Sequence, residues 1–309
     1  EWGRAPAAPG PADRLGRLEE LLSGRSRFTI EDFARIQADV RSVRGEHVLA
    51  KLLPFTAEPD ESRHRRFLSI LRSWDAETGP MSAGAAAYHA FYQALTRRLF
   101  AKALNDREPG LYERVFSLAD SELRDAPISL FDRIRTNPAV APLGVDEAAY
   151  RSALQGAIAE ASLALEVQLG SGQNAWRWGD LHRLAFRHSL GDALRGWTGD
   201  AIGEVDRLLC GGSIPFGGDA TTLLRSDYDV MSPYDVRSGS SYRFIADLGD
   251  LGHAHSMNPP GESGHFLSPH RCDQIEDYVA GRARPLWFSS YGVQYQTRHT
   301  LRLRPGYTP

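Results

Sequence analysis

What most limits the folds open to this 309-residue chain is a change of period along it. Apolar residues recur at helical spacing over the first two thirds, and short β-favouring pieces take over in the last third. Between Thr29 and Leu53, the residues Ile30, Phe33, Ile36, Val40 and Val43 mark one face of a single expected helix, and Thr29 followed by Asp32 makes a near capping box at its start. Further helices are expected over about 63–74, 83–104, 110–119, 146–168 and 199–210, punctuated by Pro54, Gly79-Pro80, Pro109-Gly110, Pro138 and the glycines at 170 and 172. From Thr221 onward TTLLRS, YRFIADL, PLWFS and VQYQTRHTLRLR read as strands between Gly, Pro, Ser and Asp clusters, the last with alternating character over Val293 to Arg304. Helices first and antiparallel strands second define an α+β class with a helical layer on a sheet. The expected organisation is one partial domain over 1–309, with a linker at 1–12, a mainly helical region at 13–210 and a mainly β and loop region at 211–309.

With 42% hydrophobic residues the chain can bury a sizeable core, and no apolar run approaches the roughly 18 residues of a membrane span. The expectation is a soluble protein without a membrane partner. A formal charge of -3 carries no basic surplus for phosphates, so no nucleic-acid partner is expected. Cys210 and Cys272 are too few for a metal cluster, and one bridge or two buried thiols are equally compatible with them.

Several groupings invite a chemical reading and are weighed against a plainer one. His253, His255, His265, His270 and Asp273 crowd one Gly-rich stretch, and His-x-His spacing is that of two zinc ligands in a metallohydrolase. The plainer account makes them loop-fixing residues, with His270 of Ser-Pro-His a packing residue. Trp176, Trp178, His182, Phe186 and His188 fall at helical spacing, Trp178 and His182 on one face. They are candidates for an acyl pocket, with Trp176 and Trp178 at its head, or for ordinary core. Pro215, Gly217, Gly218 and Asp219 lack the Gly-Lys-Ser/Thr ending of a phosphate loop and read as a tight turn in which Asp219 bonds nearby amides. Ser263 in GESGH lacks the spacing of a nucleophile elbow. The sequence does not single out a Ser/His/Asp triad.

Four stretches in order resemble the β-subunit of penicillin-amidase-family acylases: DRLGRLEELLSGRSRFTIEDFARIQADVRS at 13–42, WRWGDLHRLAFRHSL at 176–190, PFGGDATTL at 215–223, and SSYRFIADLGD with GESGHFLSPHRCDQIEDYVAGRARPLWFS at 240–289. The last carries the most specific pattern: Gly-x-Ser-Gly, Ser-Pro-His, Asp-Gln, a short helix, Gly and a Pro/Phe/Ser ending. The resemblance implies an N-terminal nucleophile hydrolase with an αββα sandwich, of which this chain is a C-terminal part. It implies hydrolysis of a linear amide by a Ser, Thr or Cys exposed at the start of the β-subunit, whose α-amine, with a pKa of about 8, serves as base. Residue one here is Glu1, and no asparagine stands in residues 1–12 to stabilise an oxyanion. Nucleophile and asparagine are therefore expected upstream, with no catalytic residue in this chain, which would be inactive alone. Arg14 stands where the family places an arginine supporting that asparagine and the substrate; read alone, it is a helix-start arginine paired with Asp13 or Glu20.

By the same resemblance the partners are a small-molecule amide substrate, the missing N-terminal β-segment and the α-subunit of one zymogen precursor, forming a periplasmic or secreted heterodimer. Neither a catalytic metal nor another cofactor is expected, and any structural calcium would take ligands from outside this chain. The alternatives are a non-catalytic scaffold module of the same fold and, further off, the histidine-loop metallohydrolase. A sheet shared with a missing segment would leave open edges and exposed apolar faces in this chain, which should then aggregate or need a partner.

Overall fold

A computed structural model describes residues 12–117, 125–137, 142–172, 175–187, 210–265, 267–304 and 306, with single positions at 201, 204 and 207. The chain divides into two units, Glu1–Ser26 with Ala38–Ser240, and Arg27–Gln37 with Ser241–Pro309.

The first unit is built on helices α1 (Ala12–Ser23), α3 (Val43–Leu52), α4 (Ser62–Ser73), α5 (Ala83–Asn105), α6 (Leu111–Ser117), α7 (Ala126–Thr136) and α8 (Glu147–Leu169). Helix α5 starts where the Ser82 side chain accepts from the Ala85 amide at 3.0 Å, and α8 where Asp146 accepts from Ala149 at 2.8 Å, each satisfying a free first-turn donor. Helix α8 stops at Gly170, whose φ of 88° suits glycine. Phe67, Leu68 and Leu71 of α4, Phe91 and Leu95 of α5, and Leu154, Ile158 and Leu165 of α8 meet in one buried core. Each such side chain contributes about 1.5–3 kcal/mol by leaving water. Helix α7 lies outside the helical segments expected from sequence, because Pro127 at its first turn is a breaker elsewhere and a good first-turn residue here. Its Ile128, Leu130, Phe131 and Ile134 join the same core, and Tyr150 of α8 donates to the Pro127 carbonyl at 2.9 Å.

The helix expected over Thr29 to Leu53 is two helices, α2 (Ile30–Gln37) and α3. The capping box is real: the Thr29 amide donates to Asp32 Oδ2 at 3.0 Å and the Asp32 amide to Thr29 Oγ1 at 3.2 Å. The break at 38–42 follows from bonds that no local pattern records. The Val40 carbonyl accepts both the Thr78 amide at 2.9 Å and the Thr78 hydroxyl at 2.6 Å, and the Ser42 amide donates to Ala76 at 2.8 Å. Ser42 then caps α3 by accepting from Gly45.

After α8 comes one helical turn, α9 (Trp178–Leu181), then β1 (Arg183–Ala185) paired antiparallel with β2 (Ser213–Pro215), and β3 (Ser226–Asp227) paired with β4 (Ser238–Gly239). The helical spacing from Trp176 to His188 is thus realised over a single turn before the chain extends, and His188 lies outside the described residues, as does most of the helix expected over 199–210. TTLL is a bent turn rather than a strand, since Asp219 and Thr222 gather its amides and hydroxyls as described below.

The second unit contains α2, a three-stranded antiparallel sheet of β5 (Arg243–Asp247), β6 (Asp250–Met257) and β7 (Arg284–Leu286), and the short helices α10 (Ile275–Val279) and α11 (Ser290–Gln296). Gln37 at the end of α2 donates to the Phe244 carbonyl of β5 at 3.1 Å. Val293 to Gln296, expected as strand, is the end of α11. The Ser289 hydroxyl accepts from Gly292 at 3.0 Å and starts that helix, and residues 297–304 that follow form no regular element. Neither Cys210 nor Cys272 is a free thiol. Among the described residues no helix is long and apolar enough to cross a membrane.

Candidate functional site

The first unit holds a buried polar node centred on Asp219, which is 4% exposed. Its Oδ1 accepts the Thr221 amide at 2.6 Å, the Thr221 hydroxyl at 2.8 Å and the Thr222 amide at 3.0 Å; its Oδ2 accepts the Ser42 hydroxyl at 2.8 Å. The turn with amides on Asp219, expected from PFGGDATTL, is therefore present, and it reaches 177 residues back to Ser42. His89 of α5 approaches with Nε2 at 3.6 Å. Burial pushes the Asp219 pKa up, and the His89 imidazole, the Thr221 amide and the two hydroxyls together hold it below the ordinary carboxylate value. A buried carboxylate this well supplied with donors is a fixed negative charge that organises its surroundings.

Beside it, three flat rings form a stack. The His89 ring lies 4.2 Å from Trp178 at 12°, and Trp178 lies 4.5 Å from His182 at 9°. The shared face of Trp178 and His182 inferred from their spacing is thus realised. His89 Nδ1 meets the Tyr228 hydroxyl at 3.0 Å, and Trp178 donates its indole N–H to the Gly218 carbonyl at 3.0 Å. His182 Nδ1 lies 2.7 Å from the Tyr234 carbonyl, which can only accept, so that nitrogen carries the proton. Burial lowers the His182 pKa to about 4, leaving the ring neutral at pH 7 with Nε2 facing Ser226 Oγ at 3.0 Å. The Ser226 hydroxyl also points at the Gly217 carbonyl, 2.7 Å away, so its single proton serves one acceptor at a time. A serine beside a neutral histidine has the makings of a nucleophile and base, yet both residues are completely buried. Their bonds to the Tyr234 and Gly217 carbonyls and to each other hold the turn together.

Gly218 is required where it stands. Its φ is 86°, and a Cβ would come within 2.2 Å of the Leu224 carbonyl oxygen and 2.7 Å of Ser226 Oγ. The absence of a side chain lets the turn close on its own Leu224 carbonyl and Ser226 hydroxyl.

Arg14 is half-buried on α1, its Nε has no hydrogen-bond partner among the described residues, and burial followed by the like charge of Arg225 lowers its pKa. Asp13 feels Arg44, Asp125 and Asp219, so the start of α1 lies within electrostatic reach of the node. Arg17, one turn on, grips Asp39 with two bonds of 3.1 and 2.7 Å and pairs Glu20 at 2.9 Å. Trp176 and Trp178 do not come together. Trp176 sits in the helical core with its N–H on the Gly170 carbonyl, Trp178 in the ring stack, and neither is among the residues lining the space beside Asp219 or the one between α5 and α8. Sequence reasoning missed His89, Ser42 and Tyr228, whose partners lie far along the chain. The one available signal is His89 itself, a polar side chain inside the apolar run AGAAAYHAFY.

In the second unit the histidines do not converge. His253 Nδ1 pairs with Asp250 at 2.7 Å, His255 Nδ1 with the His253 carbonyl at 2.9 Å, and His265 Nδ1 accepts the Leu267 amide at 3.2 Å. His270 meets Asp273 at 3.2 Å, and Arg284 of β7 bridges Asp273 and Asp277 at 3.0 and 2.8 Å, so the Ser-Pro-His-Arg-Cys-Asp-Gln stretch fastens a loop. Arg243 is buried with its guanidinium 4.1 Å over the Tyr278 ring. Among the described residues, no three His, Cys, Asp or Glu side chains are grouped to hold a metal ion.

The fold is of the penicillin acylase kind. A thermostable penicillin G acylase from Alcaligenes faecalis superposes with a TM-score of 0.51 at 13% identity, over 95% of this chain and 53% of that one. Residues 3–294 match the penicillin amidase family, and the chain belongs to it. The chain is 29% identical over 87% of its length to an acyl-homoserine lactone acylase QuiP of Pseudomonas aeruginosa, and 26% identical over 73% to that of Pseudomonas fluorescens. It is 27% identical over 90% to the penicillin acylase 2 proenzyme of a Pseudomonas species. It spans 34%, 26% and 34% of those proteins, respectively.

Proposed function

We propose that this chain is the scaffold portion of an acylase that hydrolyses a linear amide, freeing an acyl group from an amine, with the N-terminal nucleophile and oxyanion asparagine supplied by protein outside residues 1–309. The observation that carries the reading is family membership across residues 3–294, with relatives named as acylases for acyl-homoserine lactones and penicillin. The node supports it from the other side, since it contains a buried, fully bonded carboxylate and no accessible nucleophile. The chemistry asked of this chain is positioning. The Asp219 turn and the ring stack make a rigid backing, and Arg14, with Nε free of a partner among the described residues, is the donor offered to the oxyanion asparagine and substrate. The partners on this reading are an N-terminal β-segment and an α-subunit from one precursor, consistent with a relative named as a proenzyme. An oxidising location, periplasmic or secreted, agrees with cysteines that are disulfide-bonded.

The test is intact-mass and N-terminal analysis of the protein from its source, with amine release measured on N-acyl-homoserine lactones and penicillins. A mature chain opening on Ser, Thr or Cys before Glu1, with activity abolished by its replacement, is expected. A natural chain opening at Glu1 and releasing no amine would establish the scaffold-module alternative.

A further inference from the structure

The helical unit contains a cavity of about 290 Å³ between α5, α6, α8 and the turn at 230–234. That is at the lower end of the roughly 300–1,000 Å³ of small-molecule sites. Its apolar lining is Ala90 and Ala94 of α5, Ala161 and Ala164 of α8, and Val230 and Met231, of which Ala164 and Met231 are partly exposed. The polar groups gather at the ends. Tyr112, only 3% exposed, has a hydroxyl without a hydrogen-bond partner among the described residues. Arg97 and Glu160 are paired at the rim, and Arg98 also reaches Glu160 at 3.2 Å. The Tyr112 and Tyr234 hydroxyls both feel Arg97 and Glu160, so the two phenols and the ion pair share one space. Burial raises the Tyr112 pKa to about 12, which keeps its hydroxyl a donor at neutral pH. Glu113, exposed on α6, is the other carboxylate acting on Tyr112 and lies outside the lining. Of the two arginines on Glu160 only Arg97 lines the space, where it offers five N–H groups and where the amides of Gln93 and Gln168 also stand.

We propose that this cavity is a binding site for a short aliphatic monocarboxylate, its tail along Ala164 and Met231 and its carboxylate on Arg97 and the Tyr112 hydroxyl. If each non-hydrogen atom takes about a water's share of volume, the space holds roughly ten, the size of octanoate. The inference does not depend on the amidase reading, since it concerns equilibrium binding alone.

Calorimetric titration of the full-length protein with octanoate, and with octanol as the uncharged control, tests it. Saturable one-site octanoate binding, weakened about tenfold or more by Arg97→Gln, is expected, the size of a lost charge-assisted bond. Octanol should bind more weakly and be indifferent to that change. Ala164→Leu, at a partly exposed position, should abolish binding while circular dichroism and the thermal midpoint stay unchanged; Tyr112→Phe gives an independent several-fold loss. Absence of octanoate binding at millimolar concentration overturns the site. Unchanged affinity in a folded Arg97→Gln, or equal binding of octanol, overturns the carboxylate assignment.

Discussion

The two units handle their apolar residues in opposite ways. In the first, Leu52, Phe67, Phe91, Leu154 and Leu165 are essentially without exposure and lie in one continuous core. In the second, Leu248, Phe288, Tyr291, Leu301 and Leu303 are each more than 70% exposed, and residues 297–304 form no regular element. Described by itself, the first has a continuous helical core and the second leaves large apolar side chains exposed. Length explains part of the difference: two 23-residue helices bury much of their surface against neighbours nearby in sequence, whereas a three-stranded sheet with short strands has less surface to bury.

Substitutions sharpen or break this contrast. The largest effect is expected for Asp219→Ala, which leaves the Ser42, Thr221 and Thr222 donors unpaired beside His89; it should cost about 3–5 kcal/mol in urea unfolding. A loss under 1 kcal/mol would remove the node from the centre of the first unit. Leu154→Ala opens a cavity in the helical core and should cost about 2–5 kcal/mol.

Acid gives a comparable effect. His182 is neutral in the folded protein with its pKa lowered to about 4, while the unfolded chain takes up that proton near pH 6.5. The unfolded state thus binds more protons between those values, and stability falls as pH drops through that window by on the order of 3 kcal/mol. Asp219, with a lowered folded pKa, loses its contribution only at lower pH, below about 3.9. Urea midpoints from pH 7 to pH 4 should show the first loss, and His182→Asn should flatten it.

Smaller still, Arg284→Ala removes the bridge between Asp273 and Asp277 and should cost about 1 kcal/mol, reported by faster amide exchange in the second unit. Leu301→Ala should change stability by less than about 0.5 kcal/mol in this chain alone. A cost like that of Leu154→Ala would show that the tail is already packed.

What the sequence disclosed was local. Thr29 and Asp32 cap a helix as their spacing requires, Asp219 collects amides within three residues, and Trp178 and His182 stack because they are four apart on one turn. What it concealed was bonded at long range. Val40 keeps the helical period yet lies between the two helices, its carbonyl taken by Thr78, and His89 lies 130 residues from the carboxylate it faces. The alternation around Val293 suggested a strand, and the Ser289 cap decided for a helix. The penicillin amidase membership was legible because Gly218, Asp219, Trp178, His182 and the Ser-Pro-His-Arg-Cys-Asp-Gln fastener are the residues that hold the architecture together.

The ring stack has an optical consequence. Trp178 is held between two imidazole rings and away from water, so its emission should change when the rings part. The difference in emission between the protein and its Trp178→Phe variant would isolate this one chromophore. It would follow, in real time and without a label, whether the turn that carries Asp219 is closed.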